Sequence, residues 1–238
     1  MARILGIESA SLTASVAIAE GDVLLAEYTV NYKKTHSQTL LPMIDEIITM
    51  TETDRQSIDA IAVSGGPGSF TGLRIGSATA KGLGQALGKP LVAVPTLDAM
   101  AYNIFGSRSL ICPLMDARRN QVYTGIFRNE KEFQVIKKSC AIAMEELLEE
   151  LNALGEPVIF LGDGVPVQKE RIQAAAGFPC SFAPAHLNRQ KAGAVAVLGA
   201  VYVDRGQIQT AAEHKPEYLR VSQAERELKE KKGISLPC

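Results

Sequence analysis

Long apolar runs are missing from this sequence. Its hydrophobic stretches are short and interrupted, so none is expected to span a bilayer. The opening Met1-Ala2-Arg3-Ile4-Leu5-Gly6 runs straight into a strand-like pattern that meets Glu8, without the longer apolar core and cleavage site of a signal peptide. A cytoplasmic, membrane-free location is the expectation. Closely spaced cysteine pairs are missing too: Cys112, Cys140, Cys180 and Cys238 form no C-x-x-C. Structural zinc normally takes ligands in such pairs, so buried free thiols are expected and no metal site. Net charge is scarce, at -1, which provides no global attraction to nucleic acid. The three histidines, His36, His186 and His214, are far apart. His36, ahead of the first helix, reads as a capping or surface residue.

The composition is that of an ordinary globular protein: 46% of the 238 residues are hydrophobic and 21% charged, enough apolar material for a real core. Alternation reads as strands at Arg3 to Glu8, Thr13 to Ala19 and Val23 to Val30, with a Glu20-Gly21-Asp22 turn. A helix follows, with Leu40, Leu41, Ile44, Ile47 and Ile48 on one stripe. Then come a strand (Ile58 to Val63), a helix (Ser69 to Leu87) and a short strand (Leu91 to Val94). The order recurs: strands at Leu110 to Met115, Gln121 to Phe127 and Glu132 to Lys137, then a helix from Met144 that Gly155 ends. A strand, Val158 to Leu161, leads through Gly162-Asp163-Gly164 into a helix, and a further helix spans Ala192 to Asp204. Three strands, helix, strand, helix, written twice, is the plan of two ribonuclease-H-like lobes, the α/β actin-like ATPase fold. The boundary is placed near Gly106, giving an N-terminal lobe of residues 1–106 and a C-terminal lobe of 107–238. The second ends in a helix whose Ser222 and Glu225 are spaced as a capping box.

The run Ser64-Gly65-Gly66-Pro67-Gly68-Ser69-Phe70-Thr71-Gly72-Leu73-Arg74-Ile75-Gly76 closes a buried strand and opens a helix. Ser69 is placed to cap that helix, and the glycines permit close approach of a backbone or an anion. It is no P-loop, since the Gly-Lys-Ser/Thr ending is missing. Along the helix Gly72, Gly76, Ala80 and Gly84 recur every four residues, flanked by Ile75, Thr79, Leu83 and Leu87. Each glycine costs about 1 kcal/mol of helix propensity, which close approach of another helix would offset, in the same chain or in another subunit. Arg74, Ser77, Lys81 and Gln85 form the wetter face. Met43 and Met50 widen the apolar arc of the earlier helix.

These residues resemble the TsaB family. The matching runs are Ile4-Leu5-Gly6-Ile7-Glu8-Ser9, His36-Ser37-Gln38-Thr39-Leu40-Leu41-Pro42, Gly66 to Gly76, and Val94-Pro95-Thr96-Leu97-Asp98-Ala99. Met115-Asp116-Ala117-Arg118-Arg119 and Pro216-Glu217-Tyr218-Leu219-Arg220 fit as well. The resemblance implies a non-catalytic subunit in threonylcarbamoylation of the adenosine beside the anticodon of tRNA. It implies a paralogous TsaD transferase as partner, a small TsaE-type ATPase as a third component, tRNA contacted through the complex, and a homodimer when the chain is alone. The implied docking residues are Leu40, Met43, Ile44, Ile47, Gly72, Ile75, Gly76, Thr79, Ala80, Leu83 and Gly84. No intrinsic cofactor is expected, and ATP or ADP with magnesium is left to the junction of the complex. TsaD holds its metal through an H-x-x-x-H pair; the matching positions here are Thr96 and Met100, which cannot replace imidazoles. No catalytic residue is assigned.

One alternative is an ATP-dependent small-molecule kinase on the same fold. Glu8 ends the first strand, and Asp116 closes the first strand of the second half. Two such carboxylates across a cleft could hold a hydrated magnesium ion, with Gly162, Asp163 and Gly164 lining the adenosine side. The phosphate hairpin after Glu8 lacks its glycine. A serine-hydrolase reading fails for want of a G-x-S-x-G elbow.

Overall fold

Strand β1 (Arg3–Glu8) is buried from Ile4 onward and forms the middle of the first sheet. Strands β2 (Ala14–Glu20) and β3 (Val23–Val30) pair antiparallel on one side of it. Helix α1 (His36–Met50) then leads to β4 (Ala60–Gly66), which lies parallel to β1. Helix α2 (Phe70–Leu87) crosses to β5 (Leu91–Pro95), parallel to β4. The order is β3-β2-β1-β4-β5. β1 and β4 are near-continuous apolar runs because helices cover both faces of the sheet, as parallel pairing requires. A short helix, α3 (Thr96–Tyr102), follows directly.

The second sheet repeats the plan. It comprises β6 (Ser107–Asp116), β7 (Gln121–Asn129), β8 (Phe133–Ala143), β9 (Val158–Leu161) and β10 (Cys180–Phe182). Helix α4 (Met144–Leu154) precedes β9, and α5 (Val165–Ala175) precedes β10. Read from β8, the order β8-β7-β6-β9-β10 matches the first sheet position for position, again with an antiparallel three-strand half and a parallel remainder. That doubled topology is the actin-like, ribonuclease-H-like fold. Gly155 ends α4 in the left-handed conformation, as its position suggested.

Helix α6 (Ala192–Asp204) corrects the expected grouping. It follows the second sheet in sequence but packs on the first, where Ala194, Val195, Ala196 and Leu198 join Ile4, Ala60, Ala62, Val92 and Val94. Gly199 lets it lie flush on the sheet, since a Cβ there would stand 2.5 Å from the Ala62 Cβ. A helix apolar nearly all round can settle only where both sides are covered. α1 and α2 cover the opposite face of the same sheet. Between the sheets, α3 contributes Leu97 and Met100 to a shared cluster with Leu73, Ile111, Met115, Phe127 and Leu161. After α6 the chain crosses β5, Gln209 and Leu91 exchanging backbone bonds of 2.8 Å each way.

The computed structural model describes residues 2–219, so the helix expected after Ser222 lies outside the described residues. Among the described residues no helix is long and apolar enough to cross a membrane.

Candidate functional site

The glycine-rich segment is filled by its own chain. Ser69 does cap α2, its hydroxyl accepting from the Gly72 N–H at 3.3 Å. Its own N–H donates to the Ala10 carbonyl at 2.6 Å, and the Gly65 carbonyl accepts from Glu217 at 2.7 Å. A Cβ at Gly66 would collide with the Glu217 carbonyl, and one at Gly68 with the Ala10 carbonyl. Gly66 also has φ +113°, a conformation that favours glycine. These glycines admit the turn after β1 and the returning C-terminal segment, and the loop is not an open anion cradle.

The helix α2 stripe also faces inward. Gly72, Gly76, Ala80 and Gly84 are all buried. A Cβ at Gly72 would strike the Ser9 carbonyl, one at Gly76 the Ser9 hydroxyl, and one at Gly84 the Leu91 side chain. The expected docking rail is therefore the seam between the helix and its own sheet. A crossover helix joining parallel strands must cover that sheet, and Leu73, 1% exposed among the glycines, marks the same side. On α1, Leu40, Ile44 and Ile47 are likewise core residues. Ser77, expected on the wet face, is buried. Of the proposed docking residues only Met43, Ile75, Thr79 and Leu83 stay half-buried.

A second small-residue stripe points outward. Ala78, Gly82 and Ala86 are exposed, again four residues apart, and no described residue lies within 4 Å of a Cβ built on Gly82. Ile75 and Thr79 border it. On the neighbouring α1, Leu41 is 55% and Met50 66% exposed. The spacing signal was present in the sequence for both stripes; the apolar neighbours that distinguish inner from outer were the overlooked clue.

His36 is neither a cap nor a surface residue. It is buried, with Nε2 bonded to the Ser11 carbonyl at 2.7 Å, tying α1 to the turn after β1.

The cleft between the sheets gathers Glu8, Asp163 and Asp116. Glu8 is fully buried, and one oxygen accepts the Ala10 N–H at 2.6 Å. Burial pushes its carboxyl up to about 7, against the Ala10 N–H and the Ser64 hydroxyl, with Asp163 adding a little. Burial also raises Asp163, opposed by Arg189 and reinforced by Asp116. Asp163 thus stands between the two acids that the sequence paired. Asp116 itself is exposed and accepts the Arg118 N–H at 2.8 Å.

The chain also spans this cleft. Asn188 accepts the Gly162 N–H at 2.7 Å, the Ser11 hydroxyl donates to Gln190 at 3.0 Å, and the Ala192 N–H reaches Ser15 at 3.1 Å. Gly162 and Gly164 pack on Leu114, where a Cβ at Gly162 would meet its carbonyl. Among the described residues no three His, Cys, Asp or Glu side chains gather closely enough to hold a metal ion. Thr96 and Met100, one turn apart on α3, are buried and offer only a hydroxyl and a thioether. The described residues do not fit a magnesium nucleotide at these positions: the acids lack ligand spacing, and the candidate phosphate and adenosine glycines are already packed against backbone.

Comparison with known proteins agrees with this architecture. The family model described as TsaD, tRNA N6-adenosine threonylcarbamoyltransferase, matches residues 23–228. The tRNA threonylcarbamoyladenosine biosynthesis protein TsaB of Bacillus subtilis is 32% identical over 226 residues, covering 93% of this chain and 96% of that protein. Its Escherichia coli counterpart is 34% identical over 145 residues, covering 57% of this chain and 62% of its own length. The solved structure of YeaZ from Pseudomonas aeruginosa is 25% identical with a TM-score of 0.79, covering 92% of this chain and 100% of that one. With nearly the full length of a TsaB relative aligned, this chain belongs to the TsaB family.

Proposed function

We propose that this chain serves the biosynthesis of threonylcarbamoyladenosine in tRNA as a non-catalytic subunit, docking a TsaD-type transferase through the outer face of α1 and α2. The observation that carries the docking surface is Gly82. A mid-helix glycine costs about 1 kcal/mol relative to alanine, and nothing among the described residues lies close enough to require one there. With Ala78 and Ala86 it leaves a shallow notch in which a partner helix can approach closely. Ile75 and Thr79 border it, and Met43, which shares a cluster with Ile75 and Leu83, lies with Met50 on one flank of α1, where methionine suits an adaptable interface.

The non-catalytic part of the reading rests on the cleft. The Asn188–Ala192 segment bridges it, and the glycine loop is packed against the backbone of Ala10 and Glu217. Both features weigh against the kinase alternative. In this account a TsaE-type ATPase, and ATP or ADP with magnesium, join only in the assembled complex. tRNA is reached through that complex in the cytoplasm, and a homodimer uses the same helices when the transferase is absent.

Calorimetric titration of the chain with the transferase of its own organism tests the reading. Saturable binding is expected, with no ATP turnover by the chain alone. Absence of binding, or phosphate release by the lone chain, would overturn it.

A further inference from the structure

At the start of α2 the last described residues close over the helix. The ring of Tyr218 packs on that of Phe70, centroids 4.9 Å apart and tilted by 41°. The Arg74 guanidinium carbon lies 3.9 Å from the centre of the Phe70 ring, and Arg74 Nε donates to the Tyr218 hydroxyl at 3.3 Å. Two aromatic residues, one of them delivered from the C-terminal segment, thus hold one exposed guanidinium.

Among the described residues the group so held has no anion. Glu217 precedes Tyr218 in the chain, yet Arg74 forms no ion pair among the described residues. A guanidinium has five N–H donors in a planar fork suited to a carboxylate, and here one donor meets the tyrosine. Stacking removes much of the freedom an arginine side chain would otherwise lose on binding. Arg74 also sits one turn before Ala78, at the head of the outward notch. α2 carries no acidic residue, its other charge being Lys81. A second copy meeting this helix with its own α2 would therefore oppose cation to cation and leave the fork unmet. A helix that sets a carboxylate opposite Arg74 would satisfy it, so the arrangement disfavours pairing of α2 with its own copy relative to a partner helix bearing an acid there.

We propose that Arg74, braced by Phe70 and Tyr218, is a specificity anchor of the docking face and receives an aspartate or glutamate carboxylate from the partner's helix. This rests on the docking reading above.

The test is calorimetric titration of the full chain with the TsaD-type transferase, using wild type, Arg74→Ala, Arg74→Met and Arg74→Glu. Arg74→Met keeps the stem over Phe70 and serves if alanine loosens the fold. Removing the guanidinium is expected to weaken the dissociation constant about tenfold, in line with buried arginine anchors elsewhere, and Arg74→Glu more. Each aspartate and glutamate on the partner's docking helices is then changed singly to lysine. One of them is expected to recover binding of Arg74→Glu, a result that a purely internal role for the arginine could not produce. Wild-type binding with unchanged affinity for Arg74→Met sinks the anchor and leaves the docking reading standing. Failure of wild type to bind sinks the docking reading itself. Weakening with no recovery by any lysine, or an effect confined to self-association, overturns the carboxylate assignment.

Discussion

Two glycines on one helix should respond to the same substitution with opposite sign. Gly82 is exposed and a Cβ there meets no described residue within 4 Å, so Gly82→Ala gains helix propensity without a clash. The expected gain is about 1 kcal/mol, which raises the thermal midpoint of a chain this size by about 2–4 °C. Gly72 is buried, and a Cβ there runs into the Ser9 carbonyl, a backbone atom fixed at the end of β1. Gly72 also lies in the first helical turn, where propensity gains least, so Gly72→Ala should lose about 1–3 kcal/mol to overpacking. Gly76 falls between, because its Cβ need only displace the Ser9 hydroxyl, breaking the 3.0 Å bond that this group gives the Gly72 carbonyl. Scanning calorimetry on the isolated chain and the three variants measures the order directly. Equal stabilisation of all three would refute the inward and outward assignment of the stripes, and with it the placement of the docking face.

Two buried acids give pH predictions. Glu8 is raised from 4.5 to about 7, so the folded state holds a proton that the unfolded state releases as pH rises between those values. Its contribution is therefore full below 4.5 and lost by about 7, a span worth about 3 kcal/mol. Glu8→Gln should abolish that fall and be more stable than wild type at pH 8, as urea unfolding at several pH values would reveal; a pH-independent loss of stability contradicts it. Asp98, raised from 3.8 to about 6 by burial with Glu217 adding, behaves alike over a lower window. Asp98→Asn should flatten the stability profile between about pH 4 and 6, and an unchanged slope there would show that another group carries it.

The doubled strand order was legible because it depends on local signals. Alternation marked the hairpin strands, Gly21 and Gly155 marked ends, and Ser69 marked the start of α2. Long-range packing was not legible. The all-round apolar character of α6 said that it was buried but not by which sheet, and chain order pointed to the wrong one. α3 escaped notice because a seven-residue helix shows too few turns for a clear period. In the cleft, Glu8 and Asp116 were legible as strand-end acids. The interposed Asp163 and the bridge from Asn188 to Ala192 required knowing how the halves face each other. The small-residue period of α2 was read correctly and assigned to the wrong side, since both stripes share a spacing of four. His36 was misplaced for a similar reason: helix position alone could not show that the Ser11 carbonyl would meet its ring.

The docking claim meets its most direct test in the variant Gly82→Arg. A charged side chain at that exposed notch should leave the thermal midpoint of the isolated chain close to wild type, because no described group stands in its way. It should also abolish co-elution with the TsaD-type transferase on size-exclusion chromatography. A folded Gly82→Arg chain that still co-elutes with the transferase as wild type does would contradict the account.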